Sequence, residues 1–371
     1  MKINVSTNEF RTAFNFVKNG ASTRDVKPVL MNVKMIANCD SDESVTLMAS
    51  DGQLCVRTDI LGGNDTEEAG ETMLPLKVIN SLLSMTSAER VTFETPKNDC
   101  HLHVTAGSFK SKLSVEESSG FNNIAEFNYS DYFQIDADAL IESLQKTCFA
   151  TDMQNTHFAL SGVHVEVVDN KVFFVATDGR RLALVSHKIS VFGNPEKKDA
   201  VIPLKTVKLL TKVPFSNDTV AKIALKDDGI YIQIGLSTIF SQTIEGRFPN
   251  WRQINEKAGQ KQAVISLTEL KQIVSQTHLL TTEKNPGIEF ILKDNTLTLK
   301  SRGTEVGEAV ATSPAQYNED EDKFLLDGRF VLDYLNRLSP LDTVFMTFDG
   351  NNRPVIFTTG NSYSYTVMPL E

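Results

Sequence analysis

A chain of 371 residues with 41% hydrophobic side chains is long enough for two or three domains with ordinary cores. Its net charge of −10, from 37 basic and 47 acidic residues, argues at first sight against a nucleic-acid partner. No apolar segment follows Met1-Lys2-Ile3-Asn4-Val5-Ser6, and no run approaches the roughly 20 apolar residues that span a bilayer, so a soluble cytoplasmic protein is expected. The four cysteines, Cys39, Cys55, Cys100 and Cys148, have no CxxC spacing and no companion histidines. That favours reduced, buried thiols over structural zinc.

In chain order, the first helical pattern carries the stripe Phe10, Ala13, Phe14 and Val17, the i, i+3, i+4, i+7 spacing of one buried face. Ser6 with Glu9 three residues on reads as a capping box. Arg11, Asn15 and Lys18 lie on the other side. Alternation through Val45, Leu47 and Ala49 leads to Asp51-Gly52, a hairpin signal in which both central residues would take positive φ. A second helix is predicted over residues 75–85, with Pro75 in its first turn, where no amide partner is lost. Lys77, Asn80, Ser81 and Ser84 give it a mildly basic face. Further strands pass through Gly107-Ser108-Phe109.

The pattern then starts again. Asp136 caps a helix with the stripe Leu140, Ser143, Leu144 and Thr147, and the strand through Val172 to Val175 enters Asp178-Gly179 and returns through Leu182 and Leu184. Pro203 opens a helix predicted over 203–213, with Lys205, Lys208 and Lys212 at i, i+3, i+7 and no acid between 203 and 214. A third pass begins with Ser266 and Glu269, another capping box, and the stripe Leu270, Ile273, Val274 and Thr277, with Lys271, Ser275 and His278 facing away. Its second helix is predicted over 328–338, where Arg329 and Arg337 flank Asp333.

Phe10, Leu140 and Leu270 are spaced by 130 residues, Met73-Leu74-Pro75-Leu76-Lys77 reads against Val201-Ile202-Pro203-Leu204-Lys205 at 128, and Ser50-Asp51-Gly52 against Thr177-Asp178-Gly179 at 127. Ser301-Arg302-Gly303 follows more loosely. The period is far beyond the roughly 20–50 residues of solenoid repeats, so each unit is expected to be a domain: 1–129, 130–257 and 258–371. The expected fold class is α+β, two helices against antiparallel sheets, three times over.

The three thirds carry −5, 0 and −5. Exposed charges more than about 8 Å from a phosphate are largely screened, so the placement of the cations matters more than the total. Basic stripes recurring on several helices point to a shared polyanion, contacted at its phosphates without base reading.

An enzyme is a weaker expectation. There is no GxGxxG, P-loop, HExxH or GxSxG. Asp178 beside Arg180 is the one candidate acid or nucleophile, and the repeat of its turn at Ser50-Asp51-Gly52 favours a scaffold role. His101-x-His103 places two imidazoles on one strand face without metal spacing. A non-catalytic adaptor that assembles proteins without nucleic acid is the other alternative, and the lone Trp251 reads as packing at a junction.

The triplication, Ala176-Thr177-Asp178-Gly179-Arg180-Arg181-Leu182-Ala183, Glu245-Gly246-Arg247-Phe248-Pro249-Asn250-Trp251-Arg252 and the terminal Tyr365-Thr366-Val367-Met368-Pro369-Leu370 together resemble the bacterial β sliding clamps over the whole chain. The resemblance implies a non-catalytic processivity factor of DNA replication with no cofactor. Each chain would be half of a head-to-tail homodimeric ring around duplex DNA, with helices inside and sheets outside, and would tether the polymerase. Helices packed about 8–10 Å apart fit this. Twelve of them enclose a hole roughly 38 Å across, whereas six from one chain would leave about the bare width of a duplex.

By the same resemblance, polymerase and clamp loader insert short peptides into a groove at Leu160, Thr177, Gly179, Arg180, Arg181, Leu182, Pro249, Ile254, Val367, Met368, Pro369 and Leu370. Gln253 stands where many members carry Arg, and Phe330 where many carry Tyr. Arg24, Lys27 and Gln154 are expected near DNA, with Lys205, Lys208, Lys212, Arg11 and Lys271 on the helix faces.

Overall fold

The computed structural model describes all residues except 24–26, 40–43, 98, 100, 125, 153–157, 196, 256–258, 304–306, 351–352 and 371. Its helices are α1 (Thr7–Val17), α2 (Leu76–Met85), α3 (Ala137–Thr147), α4 (Leu204–Leu210), α5 (Arg252–Asn255), α6 (Leu267–His278) and α7 (Gly328–Leu335). Tertiary contacts gather residues 1–140 with 189–243 into unit 1, and 141–188 with 244–371 into unit 2.

Unit 1 holds two antiparallel sheets. The smaller runs Asp65–Glu68, Lys2–Ser6, Arg90–Glu94, His101–Ala106, Phe109–Ser114. The larger has nine strands, in which Leu54–Ile60 pairs with Ser237–Ser241, so that segments far apart in sequence share one ladder. In unit 2, Gly162–Val168, Lys171–Thr177, Arg181–Lys188, Tyr363–Val367, Val355–Thr359, Thr343–Phe348 and Lys261–Ser266 lie side by side. The second sheet there runs Gly307–Pro314, Thr296–Gly303, Gly287–Lys293, Asp322–Asp327.

The helical stripes are the core faces. Phe10, Phe14 and Val17, Leu140 and Leu144, and Leu270 and Val274 are all fully buried. The polar members of the stripes are buried too, and their hydroxyls are bonded. Ser143 Oγ lies 2.8 Å from His187 Nε2, while Thr147 and Thr277 donate to the carbonyls of Ser143 and Ile273, each at 2.8 Å. A buried hydroxyl that bonds back along its own helix meets the requirement that leaves few buried polar groups unpaired.

Three local expectations differ from the structure. Ser6 and Ser266 occupy the N-cap positions of α1 and α6, but neither hydroxyl makes the capping bond. A side-chain cap does form at α7, where Asp327 accepts from Arg329 N at 2.9 Å. Helix α4 stops at Leu210, and Lys212 lies in the turn after it, where the Lys212 and Val213 amides reach back only three residues. At Asp51-Gly52 and Asp178-Gly179 only the glycines take positive φ, 94° and 87°. The aspartates stay out of that region because each carboxylate accepts two amides of its own turn: Gln53 and Leu54 at Asp51, Arg180 and Arg181 at Asp178. Such a side-chain turn needs just one left-handed residue.

Cys39, Cys55 and Cys148 carry no disulfide, and none is fully buried as expected: Cys39 is exposed, and Cys55 and Cys148 are half-buried. His101 and His103 share one face as expected. Both contact Asp99, at 2.6 and 2.9 Å, and no metal-holding cluster occurs among the described residues. No helix among the described residues is long and apolar enough to cross a membrane.

Candidate functional site

A cleft of about 320 Å³ opens in unit 2. Thr177 ends the incoming strand, Gly179 and Arg180 come from the turn, Arg181 and Leu182 from the outgoing strand, Ile254 from α5 and Met368 from the tail. Pro354 and Thr366 complete the lining. Strand pairing assembles it: Arg181 stands opposite Val367 and Leu182 opposite Thr366, and the Met368 amide then donates to Arg180 O at 2.9 Å, which folds the tail over the turn.

Five expected groove residues do not line this cleft. Leu160 is buried in a short 3-10 turn, and its carbonyl accepts the Asp152 amide at 2.9 Å. Pro249 is exposed, Val367 is fully buried in its strand, and Pro369 and Leu370 are half-buried beyond it. Pro354 and Thr366 carry no motif of their own. Only the register that sets Thr366 against Leu182 and Val355 against Val367 brings them in.

Behind the cleft, Trp251 is buried with Val175 and Leu182 in one apolar cluster that also packs Ile254. Its indole donates to Glu166 at 3.1 Å, and Arg252 grips the same carboxylate at 2.9 Å. Trp251 therefore anchors α5, the packing role its isolation suggested.

The two cleft arginines differ. The guanidinium of Arg181 is 11% exposed and donates to Asp178 at 2.9 Å, to Asp333 on α7 at 2.6 Å and to Phe149 O at 2.9 Å, while stacking 4.3 Å over the Phe330 ring. Burial disfavours its charge, yet Tyr365, Asp333 and Asp178 hold its pKa above the ordinary arginine value. Asp178 is thus bound by two amides and a guanidinium. A carboxylate so engaged is a turn scaffold, poorly placed to act as base or nucleophile. Arg180 is exposed.

In unit 1, Lys205, Lys208 and Lys212 are all exposed. Lys205 forms an ion pair with Asp51, and Lys212 donates to Asn19 Oδ1 at 3.2 Å. Burial would raise the Asp51 pKa, but the Lys205 ammonium and the Leu54 and Gln53 amides outweigh it and lower it. Arg11 turns inward to α2, where its guanidinium donates to Leu83 O at 2.8 Å and Thr86 O at 3.1 Å. Lys27 and Lys271 are exposed. Arg24 and Gln154 lie outside the described residues.

Each unit also presents an open sheet edge, Phe109–Ser114 in unit 1 and Gly307–Pro314 in unit 2. Phe109 and Val310 on these edges are 49% and 62% exposed. A cavity of about 760 Å³ adjoins the first edge, lined by Val78, Leu82 and Met85 of α2 with Phe109 and Leu113.

Residues 134–250 match the family model of the DNA polymerase III beta subunit central domain, and residues 253–371 match that of its C-terminal domain. The β sliding clamp of Synechococcus elongatus is 26% identical over 379 residues, covering 100% of this chain and 99% of that protein. The clamp of Pseudomonas aeruginosa is 25% identical over 351 residues, 94% of this chain and 93% of that one. Among solved structures, the sliding clamp of Pseudomonas aeruginosa superposes with a TM-score of 0.91 at 22% identity over 100% of both chains. That of Bacillus subtilis gives 0.90 at 21%, covering 100% of this chain and 99% of the other. The chain belongs to the DNA polymerase III β subunit family, the bacterial β sliding clamps.

Proposed function

We propose that two copies of this chain close head to tail around duplex DNA and tether the replicative polymerase to it without sequence reading or bond-making chemistry. Each chain would supply three domains, 1–129, 130–257 and 258–371. The observation that carries this reading is the unit 2 cleft. An apolar slot of Leu182, Ile254, Pro354 and Met368 suits a short peptide anchor, and flexible methionine adapts to several partners. A polymerase held by such a link meets its template at an effective concentration of around millimolar, so release and rebinding stay local.

The lysines of α4 and its following turn fit the DNA side. Exposed Lys205, Lys208 and Lys212, with Lys27 and Lys271, can neutralise phosphates without gripping bases, while the net charge of −10 discourages binding to DNA that is not threaded. Arg24 and Gln154 remain part of this reading as residues near the duplex. The contact between copies would join the two open edges. Phe109–Ser114 carries Lys110 and Lys112, and Gly307–Pro314 carries Glu308, so the edges complement one another in charge as well as in unpaired backbone groups.

The test is topological. Loaded onto nicked circular DNA by its clamp loader, the protein should stay with the circle through gel filtration and be lost when the circle is cut once. Retention on the linear product would mean grip rather than enclosure and would defeat the reading.

A further inference from the structure

A concavity of about 380 Å³ opens in unit 1 at the end of Leu54–Ile60 that lies away from the Asp51-Gly52 turn. The pairing of Ser237 with Thr58 brings the Gly235-Leu236 turn to one side of it. Pro214 and Phe215, from the segment after α4, form another side, and the start of α1 closes it with Asn8 and Glu9.

The floor is complete in itself. The buried hydroxyls of Thr58 and Ser237 lie 2.9 Å apart and bond one another, and Asp59 N donates to Leu236 O at 3.1 Å, so these polar groups are paired without a ligand. The walls are not covered. Leu61 and Leu236 are 50% and 49% exposed, and Pro214 and Phe215 are half-buried. Leucines scattered singly over a surface are ordinary, but two that wall one cavity leave a slot that suits an apolar side chain.

The charge at this slot has one sign. Glu9 and Asp59 line it, and among the described residues no cation does. Asp59 is held by Arg57 at 3.2 Å and by the Thr46 hydroxyl at 2.6 Å. Glu9 is exposed and makes no hydrogen bond or ion pair among the described residues. A free carboxylate beside apolar walls repels phosphate and complements an ammonium or guanidinium.

We propose that this slot docks a linear segment of a partner protein in which a Leu- or Phe-sized side chain stands beside a Lys or Arg. The apolar walls supply affinity, and Glu9 discriminates between segments of equal apolarity. An ion pair this exposed is worth about a two- to fivefold preference. Nothing in the proposal rests on the unit 2 cleft or on the tail that lines it.

Random heptapeptides displayed on phage are panned against the full-length chain, and binders are kept only if Leu236→Asp loses them. Leu236 stands half-exposed in a turn, and a matching far-ultraviolet spectrum and urea midpoint check that the variant is folded; Glu9→Gln, of the same shape, is the second variant. The selected peptides and their Lys→Gln or Arg→Gln counterparts are then compared by fluorescence polarisation at low and high salt. The expected result is a basic residue recurring beside the apolar anchor, with a loss of about two- to fivefold at low salt when it is neutralised and little loss at high salt. E9Q should bind both forms alike, with the wild-type affinity for the neutral one.

Recovery of no binder sensitive to L236D, binders without a basic preference, or a preference that survives in E9Q overturns the proposal. So does a shift of L236D towards monomer in sedimentation, which would assign the slot to a contact between copies of the chain. Weakened duplex binding by E9Q would assign it to DNA instead, and the proposal would again be wrong.

Discussion

At the residue scale, the same turn chemistry is used twice with opposite charge bookkeeping. In unit 2 the turn carboxylate of Asp178 is balanced by Arg181 on its own strand, which also reaches Asp333 on α7. In unit 1 the turn carboxylate of Asp51 is balanced from α4 by Lys205. The Asp51 pKa is depressed on folding, so its contribution to stability is present above the ordinary Asp value of about 3.9 and fades as the pH falls through the folded value. Wild type should therefore be more resistant to urea than Asp51→Asn at pH 6, with the gap closing towards pH 3. A gap that is constant with pH would show that the ion pair is not what Asp51 contributes.

At the element scale, burial and bonding separate cations that the helical wheel treats alike. Arg11 and Lys208 both project from the polar side of a helix, yet the Arg11 guanidinium bonds the last carbonyls of α2, where a cation also meets the negative end of the helix dipole. Arg11→Ala should lower unfolding stability by about 1 kcal/mol, with a small effect on DNA. Lys208→Ala should leave stability within about 0.5 kcal/mol and reduce the slope of log affinity against log salt for DNA. Equilibrium unfolding together with a salt titration of DNA binding checks both, and an Arg11→Ala protein of unchanged stability would contradict the capping role. The lapsed serine caps belong to this scale too. Ser6 and Ser266 have the same extended backbone as the capping Asp327, with ψ of 123° and 132° against 116°, so the difference lies in the side chain and not in the backbone.

At the scale of the whole molecule, Phe109–Ser114 and Gly307–Pro314 are among the edge strands left unpaired on one side, and each carries an exposed apolar side chain, Phe109 and Val310. Long uncovered edges of this kind invite pairing with another copy. Phe109→Asp places a desolvated charge at such a contact, and sedimentation at micromolar protein should then report a monomer with an unchanged far-ultraviolet spectrum and no retention on circular DNA. A dimer of undiminished strength would place the contact elsewhere. Net charge says little about which face meets a polyanion, because a basic face about a helix long exerts its field within roughly a Debye length whatever the rest of the surface carries.

The sequence by itself determined the buried stripes of α1, α3 and α6, the positions of the Asp-Gly turns and the family. These depend on local periodicity and on residue types that few backbones tolerate. Most of the cleft lining was legible as well, because Thr177, Gly179 to Leu182 and Met368 sit in motifs. Only the tertiary structure decided that Pro354 and Thr366 line the cleft while Val367 is buried, which is a matter of strand register, that Arg11 is spent on α2, and that Arg181, fixed between Asp178 and Asp333, takes the turn carboxylate. Alternation along a strand fixes which residues share a face, but the choice between the two faces is made by the neighbour it pairs with, and for Arg181–Lys188 and Tyr363–Val367 that neighbour lies more than a hundred residues away in the chain.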